Sequence, residues 1–174
     1  MNSLLNLLNC TVEITKLTEK HWPEVRAIYE SGLATGNANF SMQAPGWEEW
    51  DFAHLINCRL AVVENDEVLG WAALTATSDR CVYEGVAEVS VYVREDVRGK
   101  GIGSTLLKAI IEESELHGLW MLESRIFAEN LASLSIHKRN GFRLVGRRER
   151  IGKINGIWRD TILLERRSSK VGIS

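Results

Sequence analysis

The 174-residue sequence contains little proline and no long apolar run, and each of these features excludes a class of protein. Only two prolines occur, and no repeat, proline-rich linker or low-complexity stretch separates one part of the chain from another. A chain of this length suits one domain with a single core. We therefore predict one domain over 1–174, with its core at about 12–166 and short tails at 1–10 and 167–174.

Cysteine is too scarce and too scattered to organise the fold. The three cysteines lie far apart in the sequence, and none belongs to a Cys-x-x-Cys pair, so neither a disulfide framework nor a cysteine-based zinc site is predicted. His21, His54 and His117 have no partners at metal-ligand spacing and are predicted to be surface residues. No metal is expected in this protein.

Neither a leader nor a membrane-spanning segment is predicted. Residues 1–8 are mildly apolar, but they have no basic flank and no small-residue cleavage site. No stretch approaches the roughly 20 apolar residues that cross a bilayer. No membrane partner is predicted, and the expected location is cytoplasmic.

The chain also lacks a strong net charge. Its formal charge is −2, so no domain-wide positive field exists to bind a phosphate backbone. The arginines between 143 and 167 are interpreted as solvated strand residues, because strand alternation divides them between two faces. No nucleic-acid partner is predicted.

Hydrophobic patterns follow one another as strand, two helices, three strands, helix, strand, helix and two strands. We predict strands at 12–16, 60–63, 68–74, 86–93, 119–127, 142–150 and 158–165, and helices after the N-cap Thr18, at 47–56, after residue 101 and at 131–138. Asn65 and Asp66 suit a tight hairpin turn between the second and third strands. An α/β (α+β) fold, a mixed sheet with helices on its faces, is the natural packing of this order.

The stretch Arg98-Gly99-Lys100-Gly101-Ile102-Gly103-Ser104 joins a predicted strand to a helix and has three glycines in five residues. Glycines let backbone N–H groups approach a ligand closely, and the first turn of a helix has unpaired donors and partial positive charge. This combination is typical of a phosphate or pyrophosphate site. A purely structural glycine turn is the alternative.

Two widespread phosphate loops do not fit this stretch. A Walker loop requires a lysine after its last glycine, but Ser104 and Thr105 follow Gly103. A dinucleotide fingerprint starting at Gly99 requires a glycine where Ser104 stands. Neither a Walker-type nucleotide site nor a dinucleotide site is predicted.

Residues 98–103 match Arg/Gln-x-x-Gly-x-Gly/Ala, the pyrophosphate loop of the GNAT N-acetyltransferases, which the chain resembles over roughly 12–166. Asn130-x-x-Ser133 followed by Gly141-Phe142 is similar to a second recurring segment of that family. The resemblance implies the GNAT fold, a mixed, mostly antiparallel sheet of about six or seven strands flanked by about four helices. It implies acetyl-CoA as the co-substrate.

A narrower resemblance, to phosphinothricin and methionine sulfoximine acetyltransferases, rests on several short motifs. They are Asn37-Ala38-Asn39-Phe40, Trp50, Gly70-Trp71-Ala72, Tyr83, Glu88-x-Ser90-Val91-Tyr92-Val93 and Asn130-x-x-Ser133-x-x-x-His137. This branch implies a small amino-acid-like amine as the acceptor and a homodimer. It also implies that Phe40, Trp71, Tyr83 and Glu88 contact the acceptor. For a lone tyrosine such as Tyr83, packing is the alternative.

Glu88 is the predicted base that receives the amine proton. Strand alternation puts Glu88, Ser90 and Tyr92 on one face of a strand that is otherwise apolar. A carboxylate that faces a protein cavity has a raised pKa, which a general base at neutral pH requires. An edge-strand carboxylate paired with an arginine is the alternative.

The resemblance implies that the rest of the donor site surrounds the glycine loop. The backbone of Val91 to Val93, including Tyr92, is expected to pair with the pantetheine arm. Asn130 is expected to present its amide to the same arm, with Ser133 one turn later. An N-cap role for Asn130 is the alternative, and the two roles are compatible.

His137 occupies the position, four residues before Gly141, where many relatives have a tyrosine that is thought to protonate the departing thiolate. An imidazole that carries a proton can donate it there. A solvated or substrate-wall histidine is the alternative.

The sequence therefore predicts an acetyl-CoA-dependent N-acetyltransferase that acts on a small amine. A protein or peptide N-terminal acetyltransferase is one alternative, since it would use the same donor loop. A non-catalytic acyl-CoA-binding module is the other.

Overall fold

A computed structural model describes residues 12–173, so the predicted tail 1–10, which contains the mildly apolar residues 1–8, lies outside the described residues. Each predicted helix and strand is present. The strands are β1 Glu13–Lys16, β2 Arg59–Glu64, β3 Glu67–Ala76, β4 Val86–Val93, β5 Met121–Phe127, β6 Arg143–Ile154 and β7 Ile157–Arg167. The helices are α1 Trp22–Ala34, α2 Trp47–Ala53, α3 Ile102–Leu116 and α4 Leu131–Arg139.

The strands form one seven-stranded sheet in the order β1-β2-β3-β4-β5-β7-β6. All neighbours are antiparallel except β4 and β5, which are parallel. The β2–β3 turn is built as predicted, because Asn65 and Asp66 both adopt positive φ angles, as a two-residue hairpin requires. The predicted mixed, mostly antiparallel sheet is confirmed.

The two faces of the sheet bury different clusters. One cluster packs α3 against β2 to β5 and includes Val89, Leu107 and Leu122. The other packs α1 and α2 against β2 and β3 and is rich in aromatic rings, among them Trp50 and Trp71. The burial of apolar surface in these two clusters provides most of the favourable free energy of folding.

Several sequence predictions differ from the structure. The helix predicted at 47–56 ends at Ala53, because His54 adopts an extended conformation. β6 continues to Ile154, beyond the predicted end at 150, because a register shift between Arg148 and Gly152 interrupts the alternation without ending the strand. The surface prediction for His21 is wrong. Its ring is buried, since a 3₁₀ turn precedes α1 and His21 Nδ1 accepts a 3.1 Å hydrogen bond from the Thr18 amide.

Candidate active site

A cleft opens in the sheet where the two parallel strands separate. β4 and β5 are paired only from Val86–Met121 to Glu88–Glu123, after which β5 pairs with β7 alone. The Arg94 amide donates to Leu69 O in β3 at 2.9 Å. The backbone groups of Arg94 therefore point toward β3. Successive residues of a strand direct their backbone groups to opposite sides, so those of Val93 and Val91 point away from β3, to the open edge. Val91 and Val93, two of the predicted pantetheine-binding residues, therefore border this cleft.

The glycine loop lies at one end of the cleft. Gly99 and Gly101 have φ angles of +78° and +88°, which favour glycine, and Gly101 is the N-cap of α3. Among the described residues, the Gly99, Gly101, Ile102, Gly103 and Ser104 amides donate to no backbone carbonyl. Residues 98–101 are exposed. The loop therefore presents free N–H donors at the positive end of a helix dipole.

Gly103 has a different function from the first two glycines. A Cβ atom there would lie 3.3 Å from Ile136 Cδ1 and 3.4 Å from Val93 Cγ2, so its absence lets α3 pack closely on α4 and β4. The Asn140 side-chain amide also donates to Ser104 Oγ at 3.0 Å. These contacts fix the start of α3 relative to α4.

Two basic side chains were predicted to lie at the loop, and both are exposed. Arg98 folds back over the open strand edge, where its Nε donates to Val93 O at 3.3 Å. Lys100 lies between the two left-handed glycines and forms no ion pair with any carboxylate of the described residues. Both cations are thus placed to add positive charge beside the free amides.

Asn130 has the N-cap role that the sequence left open. Its Oδ1 accepts from the Ser133 amide at 3.1 Å, and its Nδ2 donates to Asn37 O at 3.0 Å. The second bond ties α4 to the loop that follows α1. A role toward the pantetheine arm stays a prediction.

His137 is almost completely buried, with 3% of its surface exposed, so it is not a solvated residue. Its Nδ1 lies 2.8 Å from Ser133 O, and because a carbonyl only accepts, Nδ1 carries the proton. Nε2 is buried and has no partner among the described residues. Burial lowers the pKa of His137, so the neutral ring has no Nε2 proton to give. This tautomer favours a structural role over proton donation.

Glu88 lies at the point where the strands separate. Arg125 Nη1 donates to Glu88 Oε2 at 2.6 Å, and Arg125 Nη2 lies 3.5 Å from Glu123 Oε2. Burial raises the pKa of Glu88, while the Arg125 cation lowers it and the Glu123 charge raises it. Glu88 thus has the arginine partner of the alternative interpretation and also the raised pKa expected of a base. The first feature does not exclude the second.

On the same face as Glu88, a cavity of about 280 Å³ lies between α2 and strands β3 and β4. Its walls include Trp50, His54, Trp71, Ser90 and Tyr92. Trp71 is a buried core residue that stacks on the Tyr92 ring at 4.7 Å.

Tyr92 belongs to this cavity and not to the open strand edge. Its hydroxyl accepts a 2.9 Å bond from Asn39 Nδ2. Its carbonyl oxygen lies on the β3 side, 2.8 Å from where a Cβ of Gly70 would stand. Neither its ring nor its backbone faces the cleft, so the predicted cofactor contact of Tyr92 is not supported by its placement.

An aromatic wall continues along this face. Phe40, in the loop after α1, packs edge-on against Phe127 at 4.8 Å, and the Arg159 guanidinium lies 4.1 Å from the Phe127 ring centroid. Arg159 also donates to Gly36 O and Asn37 Oδ1, which holds the loop against β7.

Tyr83 lies apart from this wall, in an exposed 3₁₀ turn between β3 and β4, where Arg80 is 5.8 Å from its ring centroid.

Family and structural comparisons agree with this geometry. A model of the acetyltransferase (GNAT) family matches residues 16–142. The chain belongs to this family. Phosphinothricin N-acetyltransferase from Alcaligenes faecalis is 31% identical over 169 residues, which cover 93% of this chain and 85% of that protein.

A second GNAT relative matches a shorter stretch. The L-methionine sulfoximine/L-methionine sulfone acetyltransferase of Pseudomonas paraeruginosa is 38% identical over 99 residues. The match covers 57% of this chain and 58% of that enzyme, little more than half of each. The predicted resemblance to this branch of the family is confirmed.

Solved GNAT structures superpose closely on the fold. A ribosomal-protein-alanine N-acetyltransferase from Brucella melitensis has a TM-score of 0.82 at 28% identity, covering 90% of this chain and 99% of that one. A phosphinothricin acetyltransferase from Sinorhizobium meliloti, solved in complex with AcCoA, has a TM-score of 0.85 at 23% identity. That match covers 94% of this chain and 92% of the other, and it confirms the predicted GNAT fold.

Among residues 12–173, no helix is long and apolar enough to cross a membrane. Within the same range, no group of three or more His, Cys, Asp or Glu side chains is placed to hold a metal ion.

Sequence reasoning missed Arg125, Glu123 and the Phe127–Arg159 wall. The alternation of Glu123, Arg125 and Phe127 in the fifth strand puts them on one face, which the sequence does indicate. That this face adjoins Glu88 depends on the parallel register of β4 and β5, which no local pattern specifies.

Proposed function

We propose that this protein transfers an acetyl group from acetyl-CoA to the amine of a small amino-acid-like acceptor, of the phosphinothricin or methionine sulfoximine type. One observation carries the proposal. An open strand edge leads from a helix N-terminus with free amides to a carboxylate whose pKa is raised. The similar enzymes of this branch of the GNAT family are named for such acceptors.

The described residues fit acetyl-CoA. The free amides of 101–104 would hold its diphosphate, and the edge of Val91 and Val93 would pair with the amides of its pantetheine arm. Bound acetyl-CoA supplies the thioester at which the C–N bond forms and the C–S bond breaks. The Val93 carbonyl is now held by Arg98, so this side chain must move aside or share its acceptor.

Glu88 provides the base in this proposal. The acceptor amine must lose a proton before or during its attack, and Glu88 receives that proton directly or through one water molecule. The proton balance closes when the departing thiolate is protonated from solvent, since the His137 tautomer has no Nε2 proton to give. The Arg125 cation favours the ionised form of Glu88 and so opposes the rise in its pKa that burial causes.

The Glu123→Gln variant tests whether Glu88 must be ionised. Activity that depends on a glutamate base is lost as pH falls through its pKa. The Glu123 charge raises the pKa of Glu88, so its removal lowers that pKa. We expect the acid limb of the kcat profile to move to lower pH in Glu123→Gln, with kcat at its plateau retained. A limb that stays in place or moves to higher pH would contradict the assignment.

An N-terminal acetyltransferase is the second candidate, because the similar Brucella structure is named a ribosomal-protein-alanine N-acetyltransferase, an enzyme with a protein acceptor. A peptide substrate needs an open groove beside the cleft. Here, the loop after α1 is held by Arg159 and Asn130, and Phe40 covers Phe127. These contacts favour a small acceptor.

An acceptor panel distinguishes the two candidates. We expect release of the CoA thiol with L-methionine sulfone and phosphinothricin, and kcat/KM at least about tenfold lower with short peptides that have a free N-terminus. The reverse order would establish the peptide activity. Saturable acetyl-CoA binding with no thiol release across a broad amine panel would instead support a non-catalytic acyl-CoA-binding module.

The homodimer and the cytoplasmic location stay predictions. The edge hairpin β6–β7 exposes several apolar side chains, which supports a partner surface. They are Leu144, Val145, Ile157 and Trp158.

A further inference from the structure

Arg125 is placed beside Glu88 by the register of the two parallel strands. Glu88 and Glu123 are the last paired residues of β4 and β5, so their side chains lie on the same face of the sheet. Arg125 follows Glu123 by two residues and therefore projects from this face as well. It is the first side chain of β5 beyond the pairing on that face, at the entrance of the cleft.

The guanidinium of Arg125 is only partly used by its two carboxylates. One Nη1 donor bonds Glu88 Oε2 at 2.6 Å, and Nη2 lies 3.5 Å from Glu123 Oε2. Its side chain is 41% exposed. An arginine has more N–H donors than these contacts use, so donors remain for a second anion.

Two arginines of strands β6 and β7 are more fully engaged. Arg159 donates to Gly36 O, Asn37 Oδ1 and Glu129 Oε2, and only 15% of its side chain is exposed. Arg147 binds the carboxylate of Asp160 through both Nε and Nη2. Of these three arginines, Arg125 is the one that contacts Glu88, and it has N–H donors that its two carboxylates do not use.

The Glu88–Arg125 pair matches the charges of an α-amino acid. In such a molecule the amine and a carboxylate oxygen lie about 3 Å apart, because both groups are attached to one carbon. The carboxylate of Glu88 and the cation of Arg125 are held at a similar spacing, 2.6 Å, and with the complementary order of charge. The Arg125 backbone amide also bonds the Glu88 carboxylate, whose two oxygens together have acceptor capacity left for the amine.

We infer that Arg125 binds the α-carboxylate of the acceptor, so that the site selects free α-amino acids over amines without an adjacent carboxylate. This inference rests on the proposed acetyltransferase function. It makes Arg125 a specificity-determining residue, in addition to its pairing with Glu88. A peptide N-terminus lacks the carboxylate at this position and would not satisfy the guanidinium.

Kinetics with a matched pair of acceptors test the inference. L-methionine sulfone and its α-carboxamide differ in the group that Arg125 would bind. We expect Arg125→Gln to lower kcat/KM for the acid at least about tenfold more than for the amide, because one charged hydrogen-bond partner is lost. Taking the ratio of the two acceptors cancels any common change in Glu88. Arg125→Lys should give an intermediate ratio, and Arg143→Gln, which removes a similar surface ion pair with Glu165, should leave it unchanged.

Three outcomes would overturn the inference. Equal losses for acid and amide in Arg125→Gln would show that Arg125 only positions Glu88. Equal kcat/KM values in the wild-type protein, after correction for the amine pKa of each acceptor, would show that the α-carboxylate is not recognised. In both cases, the proposed acetyltransferase function would stand. If neither of these acceptors nor any other amine in the panel were acetylated, the proposed function and the inference would both be wrong.

Discussion

The Glu88→Gln variant is expected to lower kcat by about a hundredfold or more, which is the usual contribution of a general base. Glutamine has the shape of glutamate and can still accept a hydrogen bond from Arg125, but it cannot accept a proton from the amine. The dissociation constant of acetyl-CoA should change little, because the glycine loop lies at the other end of the cleft. Steady-state kinetics and calorimetric titration of acetyl-CoA measure the two quantities.

Glu30→Gln is the matched control for this variant. It also removes a glutamate paired with an arginine, Arg26, at 2.9 Å, but on the exposed surface of α1. Its kcat should equal that of the wild-type protein. If Glu88→Gln kept normal kcat while it bound acetyl-CoA normally, Glu88 would not be the base. The amine would then have to lose its proton to a water chain, or react from its unprotonated form without a protein base.

The second large effect is expected in the glycine loop. Gly101→Val should raise the dissociation constant of acetyl-CoA by about tenfold to a hundredfold, which corresponds to the loss of one or two hydrogen bonds to a charged group. A β-branched residue at a φ of +88° strains the backbone, and its side chain would cover the amides that open α3. Titration of acetyl-CoA measures the change.

Gly118→Val separates backbone strain from loss of the site. Gly118 has a φ of +78°, and a Cβ atom there would have no neighbour within 4 Å, but it follows the C-terminal end of α3. The two variants should lose similar free energies of unfolding, about 1–3 kcal/mol each. Only Gly101→Val should lose affinity for acetyl-CoA. Normal affinity in Gly101→Val, or an equal loss in Gly118→Val, would mean that this loop does not hold the diphosphate.

Local patterns predicted the elements accurately where one face is buried. The strand at 86–93 agrees with β4, because apolar residues alternate with Glu88 and Tyr92. The end of β6 was missed because the pattern is interrupted at the register shift near Gly152, and the strand resumes toward the Asn155-Gly156 turn. Only pairing with β7 shows that the two parts form one strand.

The roles of individual side chains were less predictable than the elements. The sequence placed Glu88, Ser90 and Tyr92 on one face, and the structure agrees, since Ser90 and Tyr92 line one cavity. It could not show which nitrogen of His137 carries the proton, because that depends on the carbonyl of Ser133 in the folded helix. Nor could it show that the Asn130 amide is used by the loop after α1.

Residues close together in the chain were enough to indicate the family, the order of strands and helices, the glycine-rich N-terminus of α3 and the face on which Glu88 lies. At such short separations, spacing fixes geometry. Folding of the whole sheet was needed to bring Arg125 to Glu88 and to leave Val91 and Val93 on an open edge. Both depend on where β4 and β5 stop pairing, which the pattern of either strand alone does not show and which is decided only when the whole sheet forms between its two helical layers.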